Sequence, residues 1–241
     1  MANQPNTLLI HPDSLGETLD SINVALFDGC ELSVDERTSA ALWLTDRQGL
    51  PGAYAGMFAP TEYDYAYGTK TFTGEAVRSA AATGHILGEE ACSALYRLGV
   101  ATSQTQSALK RARQGIFKRI EQSEAQGQWS GVYCCGTCTV ALWRHLSASD
   151  EEEDHRRIEN GLAELRHSRD GEGRWRRFPF YYTLFALAEI DHPAVQGEIH
   201  YAMRVIERAQ RRLQKQAQQK QAASEQDRRR RLVLERILEK S

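Results

Sequence analysis

Residues 114–146, QGIFKRIEQSEAQGQWSGVYCCGTCTVALWRHL, and residues 160–192, NGLAELRHSRDGEGRWRRFPFYYTLFALAEIDH, align without a gap at an offset of 46. Gly115 falls on Gly161, Gly127 on Gly173, Trp129 on Trp175 and Thr137 on Thr183. Glycine, tryptophan and threonine agreeing in one register mark an internal repeat, a unit that buries its apolar face against the next copy. Ile116, Phe117 and Ile120 recur at helical spacing, as do Leu162 and Leu165, and Gly127 and the pair Gly171 and Gly173 supply turns. The following runs, TCTVALWRHL and TLFALAEI, are apolar nearly all round, as in helices buried on most sides. Thr137 and Thr183 stand where an N-cap hydroxyl would take a free amide. Each copy therefore reads as a charged outer helix, a glycine turn, a Trp, a short extended piece and an apolar inner helix.

Outward from the repeat, the same pattern recurs in distorted form. DERTSAALWLTDRQGLPGAYAGMF is a helix followed by a Gly and Pro turn, with Tyr54 in the place of the Trp. The insertion APTEYDYAYGTKT precedes a helix expected over FTGEAVRSAAATGHIL, with Thr73 as its cap-like residue. GEEACSALYRLG and SQTQSALKRARQGIFKRI continue the helices, with Gly99 as the stop between them. The expected class is all-α: stacked helical hairpins over residues 15–197 and one long basic C-terminal helix over 198–241.

The chain has 241 residues, enough for one substantial core with an appendage. Residues 198–241 carry 12 Lys and Arg against 6 Asp and Glu, a charge of +6, which leaves −8 on the first 197. Ile199, Ala202, Ile206, Ala209 and Leu213 form a short coiled-coil-like seam in this tail, suited to docking on the domain or to a homodimer. Arg228 to Arg231 could meet an acidic partner, whereas the acidic body and the absence of a reading motif argue against nucleic acid. No apolar run approaches a membrane span, and the start MANQPNTLLIHPDS lacks the pattern of a signal peptide, so a cytoplasmic protein with no membrane span is expected. Five cysteines, three of them crowded together, suit reduced thiols better than a disulfide framework.

The run GLAELRHSRDGEGRWRRFPFYYTLFALAEI resembles the repeat of the prenyltransferase and squalene-cyclase superfamily, in which a helix leads to an Asp/Gly turn, a Trp and a Thr-started inner helix. The resemblance is good over about residues 110–195 and faint over 30–100. It implies an α/α toroid, here incomplete or completed by a dimer, whose aromatic-lined cavity takes an apolar or isoprenoid-like ligand. Tyr54, Phe58, Tyr65, Trp129, Trp175, Tyr181 and Tyr182 would line it. The family's protein prenyltransferases hold zinc with an Asp-x-Cys pair and a His in a YHT-like motif. The corresponding string here is FYYT, with Tyr182 at the His position, and phenol is a poor zinc ligand. No Asp-x-Cys or Asp-x-Asp-Asp occurs, so neither family mechanism is carried over and catalysis is left open.

Three groups remain from the residues themselves. Cys135 and Cys138 form a Cys-x-x-Cys at a helix start, where amides and the dipole lower a thiol pKa. With Cys134 and His145 they could bind zinc, they could act as a redox pair, or they could simply fill a close helix contact. His85, Glu89 and Cys92 lie at i, i+4 and i+7, on one helical face, as a joint cation or substrate site or as an ordinary polar stripe, with Glu75 and Arg78 nearby. Tyr54, Phe58, Tyr63, Tyr65, Tyr67 and Phe72 crowd a Gly- and Pro-punctuated segment that reads either as a binding loop or as a plug. The alternative to a ligand cavity is an interaction module that engages a protein partner through this aromatic loop and the C-terminal helix.

Overall fold

The computed structural model describes residues 9–127, 130–149, 151–218 and 224–241. Among them the chain is all-α, with ten α-helices and one 3-10 turn. None of these helices is long and apolar enough to cross a membrane. Among the described residues the helices fall into two compact units, 9–69 with 76–119, and 70–75 with the described residues from 120 onward.

The first unit is organised around a helix poor in charge. α1 (Leu15–Phe27) starts at Ser14, whose hydroxyl accepts from the Glu17 amide. α2 (Val34–Asp46) starts with a Ser33/Glu36 capping box. α3 (Glu62–Tyr67) has the same device in Thr61 and Asp64. α4 (Ala80–Leu98) packs against all three and buries most of its length, including Ile86, Leu87, Leu95 and Leu98. It ends where expected, at Gly99 in the left-handed conformation (φ 67°). It begins later than expected, because Ser79, whose hydroxyl accepts from the Ala82 amide, is the cap and Thr73 is not. The boundary between the units falls within α5 (Ser103–Ala125), after Arg119.

The second unit holds α6 (Gly136–Ser149), α7 (Glu152–His167), α8 (Phe180–Glu189), α9 (Ala194–Gln218) and α10 (Glu225–Lys240). α6 lies against α7 and α8, and α9 against α7, α8 and α10. The expected single helix over 198–241 is thus two helices among the described residues. Ser224 caps α10 by accepting from the Asp227 amide, and α10 packs on α8 and α9 through buried Val233, Leu234 and Ile237. The physical reason is that an apolar end on a polar helix gains more by returning to a core than by standing in water. Lys240 closes the arrangement, donating to the carbonyls of Leu187, Ala188 and Ile190 at the C-terminal end of α8, where a cation is favoured. The seam of Ile199, Ala202, Ile206, Ala209 and Leu213 is buried within this unit.

The hairpin turns show what the repeat means in space. One turn is closed by an antiparallel bridge between Gln48 and Phe58, another by one between Arg169 and Trp175. In the first, Arg47 and Ala59 exchange hydrogen bonds beside the bridge, and in the second Arg176 donates to the Ser168 carbonyl at 2.7 Å. The partner of Trp175 in this register is therefore Phe58, fully buried, and not Tyr54, which sits in the 3-10 turn Tyr54–Gly56. The offset arose because the first turn carries extra residues between bridge positions. Trp129 lies outside the described residues. Gly115 and Gly161, equivalent in the repeat, are both points of close approach. A Cβ at Gly115 would lie 1.7 Å from the Ala55 carbonyl oxygen, and one at Gly161 would lie 2.3 Å from Trp143 Nε1 and 2.8 Å from the Gly131 oxygen. Each outer helix thus receives a turn backbone on a side chain-free spot.

The two threonines do not cap. Thr137 lies within the first turn of α6, and Thr183 lies inside α8, where its hydroxyl donates to the Pro179 carbonyl at 2.7 Å. A threonine one turn into a helix finds the carbonyl four residues back before it finds a free amide.

Candidate functional site

The aromatic insertion is divided among three environments. Phe58 is core of the first unit, and Phe72 is core of the second, stacked on Phe185 with ring centroids 4.5 Å apart. The tyrosines of α3 remain outside: Tyr63 is 40%, Tyr65 42% and Tyr67 76% exposed. This pattern follows from Asp64, the third residue of EYDYAY, which is only 1% exposed. Its carboxylate accepts from Ser14 Oγ at 2.7 Å, from the amides of Leu15 and Gly16 at 3.0 Å each, and from the Thr61 amide at 2.7 Å. The carboxylate fills the N-terminal end of α1 with the charge that end favours. One buried anion thus fixes the orientation of a six-residue helix and turns its aromatic residues outward.

The outward face is a surface depression of about 480 Å³ lined by Pro12, Asp13, Thr61, Glu62, Tyr63, Ala66 and Tyr67. Tyr63 and Tyr67 lie against each other at 4.5 Å between centroids. Acidic groups set its potential. Glu17 raises the Tyr63 phenol above its ordinary pKa, with further contributions from burial, Tyr67 and Asp13. The Tyr65 phenol is raised too, first by burial and then by Asp64. Exposed π-faces beside carboxylates are what a cation binds.

The other residues proposed from the sequence are placed as follows. Tyr54 is half-buried, its ring 3.8 Å from that of His85 and 6.0 Å from the Arg119 guanidinium. His85, Glu89 and Cys92 share α4 and are all buried, so the stripe is not a solvent-exposed polar face. Burial, followed by Arg119, holds the His85 imidazole below its ordinary pKa, in its neutral form. Glu75, in contrast, accepts from Thr71 at 2.5 Å and from Thr73 in the second unit, and Arg78 is exposed.

Trp175, Tyr181 and Tyr182 are buried in the second unit. Trp175 Nε1 donates to the buried Glu198 at 2.8 Å, and Glu198 also takes Arg169 at 2.8 Å. Tyr181 lies beneath the Arg230 guanidinium and accepts from Arg212 at 3.2 Å, while Tyr182 is fully buried near Phe185. Arg229 covers Phe72, and Arg230 Nε donates to the Thr73 carbonyl at 2.9 Å. The tail arginines Arg229 and Arg230 are therefore engaged within their own unit. The buried pair Arg144 and Glu189, 2.7 Å apart with the guanidinium over Phe185, was not foreseen, because nothing in their spacing of 45 residues signals it.

Cys135 and Cys138 do come together, with sulfurs 3.5 Å apart, and Cys134 Sγ lies within 4.8 Å of Cys138 Sγ. Cys134 and Cys135 are exposed and Cys138 is buried. These three offer soft ligands to a thiophilic cation. His145, the expected fourth, is buried seven residues beyond Cys138 on α6, about 10 Å along the axis.

No family model, curated protein or solved structure matches the chain.

Proposed function

We propose that the chain is an interaction module whose α3 face binds a cationic segment of a protein partner. The observation that carries this reading is the exposure of Tyr63 and Tyr67 beside Asp13, Glu17 and Glu62 on a helix pinned by the buried Asp64. A rigid aromatic pair gives contact area at small entropic cost, and the carboxylates add attraction for Lys or Arg side chains. The apolar-ligand reading implied by the prenyltransferase resemblance has less support, since Trp175, Tyr181 and Tyr182 are buried and occupied by hydrogen bonds or ring contacts.

Fluorescence anisotropy with a labelled Lys- and Arg-rich peptide tests the reading, with an acidic peptide of equal length as control. The expected result is salt-sensitive binding to the basic peptide that weakens about tenfold in the Tyr63→Ala, Tyr67→Ala double variant, the loss of about 1.4 kcal/mol. Equal affinity of the double variant and the unchanged chain would remove α3 from the account.

A further inference from the structure

The strongest feature outside the α3 face is the group of thiols where α6 begins. The backbone that presents them is tightly held. A Cβ at Gly136 would lie 1.9 Å from the Arg177 carbonyl oxygen, so the chain here runs directly against the segment before α8. Thr139 Oγ1 accepts from the Tyr133 amide at 3.0 Å and donates to the Tyr133 carbonyl at 2.9 Å, closing the loop across its base. Cys134 is held at φ 61°, a conformation uncommon for a side chain-bearing residue. The result is an exposed sulfur of Cys135 in contact with the buried sulfur of Cys138.

We propose that Cys135 and Cys138 form a dithiol–disulfide couple that exchanges with low-molecular-weight disulfides, Cys135 attacking and Cys138 resolving. In the first step the Cys135 thiolate attacks one sulfur of a disulfide RSSR; the Cys135 S–SR bond forms, the S–S bond breaks and RS⁻ leaves. In the second, Cys138 gives its proton to RS⁻ or to solvent and attacks the Cys135 sulfur. The intramolecular bond forms and a second RS⁻ leaves. The chain is oxidised by two electrons, and the disulfide is reduced to two thiols.

The geometry assigns the roles. Cys135 is exposed and immediately precedes α6, and Cys138 lies one turn on, close enough that closing the bond needs only an approach from 3.5 Å to the usual disulfide length. The electrostatics agree: the Cys138 thiol, followed by the backbone amides of Cys138 and Thr137, holds Cys135 down to about 5 against the opposing effect of burial. The hydrogen bond with Cys135, followed by burial, holds Cys138 in its thiol form. This couple is separate from the α3 face and stands whether or not that face binds a partner.

The test uses the full reduced chain, with exposed Cys30 as an internal reference. Alkylation by iodoacetamide at pH 6, mapped by tandem mass spectrometry, should modify Cys135 about tenfold faster than Cys30. The larger thiolate fraction outweighs the lower intrinsic nucleophilicity of a low-pKa thiol. Oxidised glutathione at pH 7 should yield a Cys135–Cys138 disulfide in the unchanged chain and in Cys134→Ser. Cys138→Ser should stop at glutathionylated Cys135, and Cys135→Ser should form no disulfide. Cys135 reacting no faster than Cys30, or a mixed disulfide in the unchanged chain that never resolves, would overturn the proposal. So would stoichiometric zinc that shields Cys135 until a chelator is added.

Discussion

Two helices of this chain are rich in aromatic residues, EYDYAY at 62–67 and FYYTLFALAE at 180–189. In α8 the rings are interior, with Tyr182 and Phe185 in a core bounded by α6, α9 and α10. In α3 they stand in solvent, because the residue that turns inward is Asp64. Aromatic content alone does not locate a side chain. The decision lies with the one position whose alternative is most costly, and burying an anion that is fully hydrogen-bonded costs less than leaving the amides of Leu15 and Gly16 unanswered.

The sharpest way to break this contrast is to remove one residue from each helix. Tyr182→Ala should cost about 3–5 kcal/mol by denaturant unfolding, as large-to-small changes in a filled core do. A cost below about 1 kcal/mol would mean that α8 encloses space rather than core. Asp64→Ala should cost about 2–3 kcal/mol, since five hydrogen bonds lose their acceptor. Hydrogen exchange should show the α3 amides losing protection before those of α8, and uniform loss across the chain would deny Asp64 its local role.

A pH series adds a smaller effect confined to the second unit. Cys135 is lowered from an ordinary thiol value of 9.0 to about 5. A depressed pKa contributes stability that is present above the unfolded value and lost as pH falls through the folded one. The unchanged chain should therefore gain stability over Cys135→Ser as pH rises from about 5 to 9, by under about 1 kcal/mol because the thiol is solvent-screened. Parallel curves would contradict the lowered thiol. Smallest of all, Tyr67→Ala should change stability by no more than about 0.5 kcal/mol, as a surface substitution does, while still weakening peptide binding.

The helical class was legible in the sequence wherever local rules and packing agree. Ile116 and Ile120 on α5, Leu162 and Leu165 on α7, and the glycine stop at Gly99 all behave as their spacing indicates. The 46-residue register also led to Gly115 and Gly161, whose missing side chains are required by backbone contact. What stayed hidden depends on partners distant in sequence. Thr73 reads as the cap of α4 until the 70–75 segment is seen to meet Gln226 and Arg230 of α10, which leaves Ser79 to start the helix. Phe58 and not Tyr54 matches Trp175 because a bridge, not residue spacing, sets the turn register. The return of α10 onto α8 was invisible because an apolar patch does not announce which surface it will cover. At the candidate site the tyrosines are legible as an aromatic cluster, whereas the burial of Asp64, which decides which way they face, depends on its contact with Ser14, Leu15 and Gly16, about 50 residues away in sequence.

The most direct test is tyrosine nitration mapped by mass spectrometry, with and without a saturating Lys- and Arg-rich peptide. Tyr63, Tyr65 and Tyr67 should be modified in the free chain while Tyr182 is spared, and the peptide should protect Tyr63 and Tyr67. Nitration of Tyr182 alongside the α3 tyrosines, or unchanged modification of Tyr63 and Tyr67 under peptide, would contradict the account.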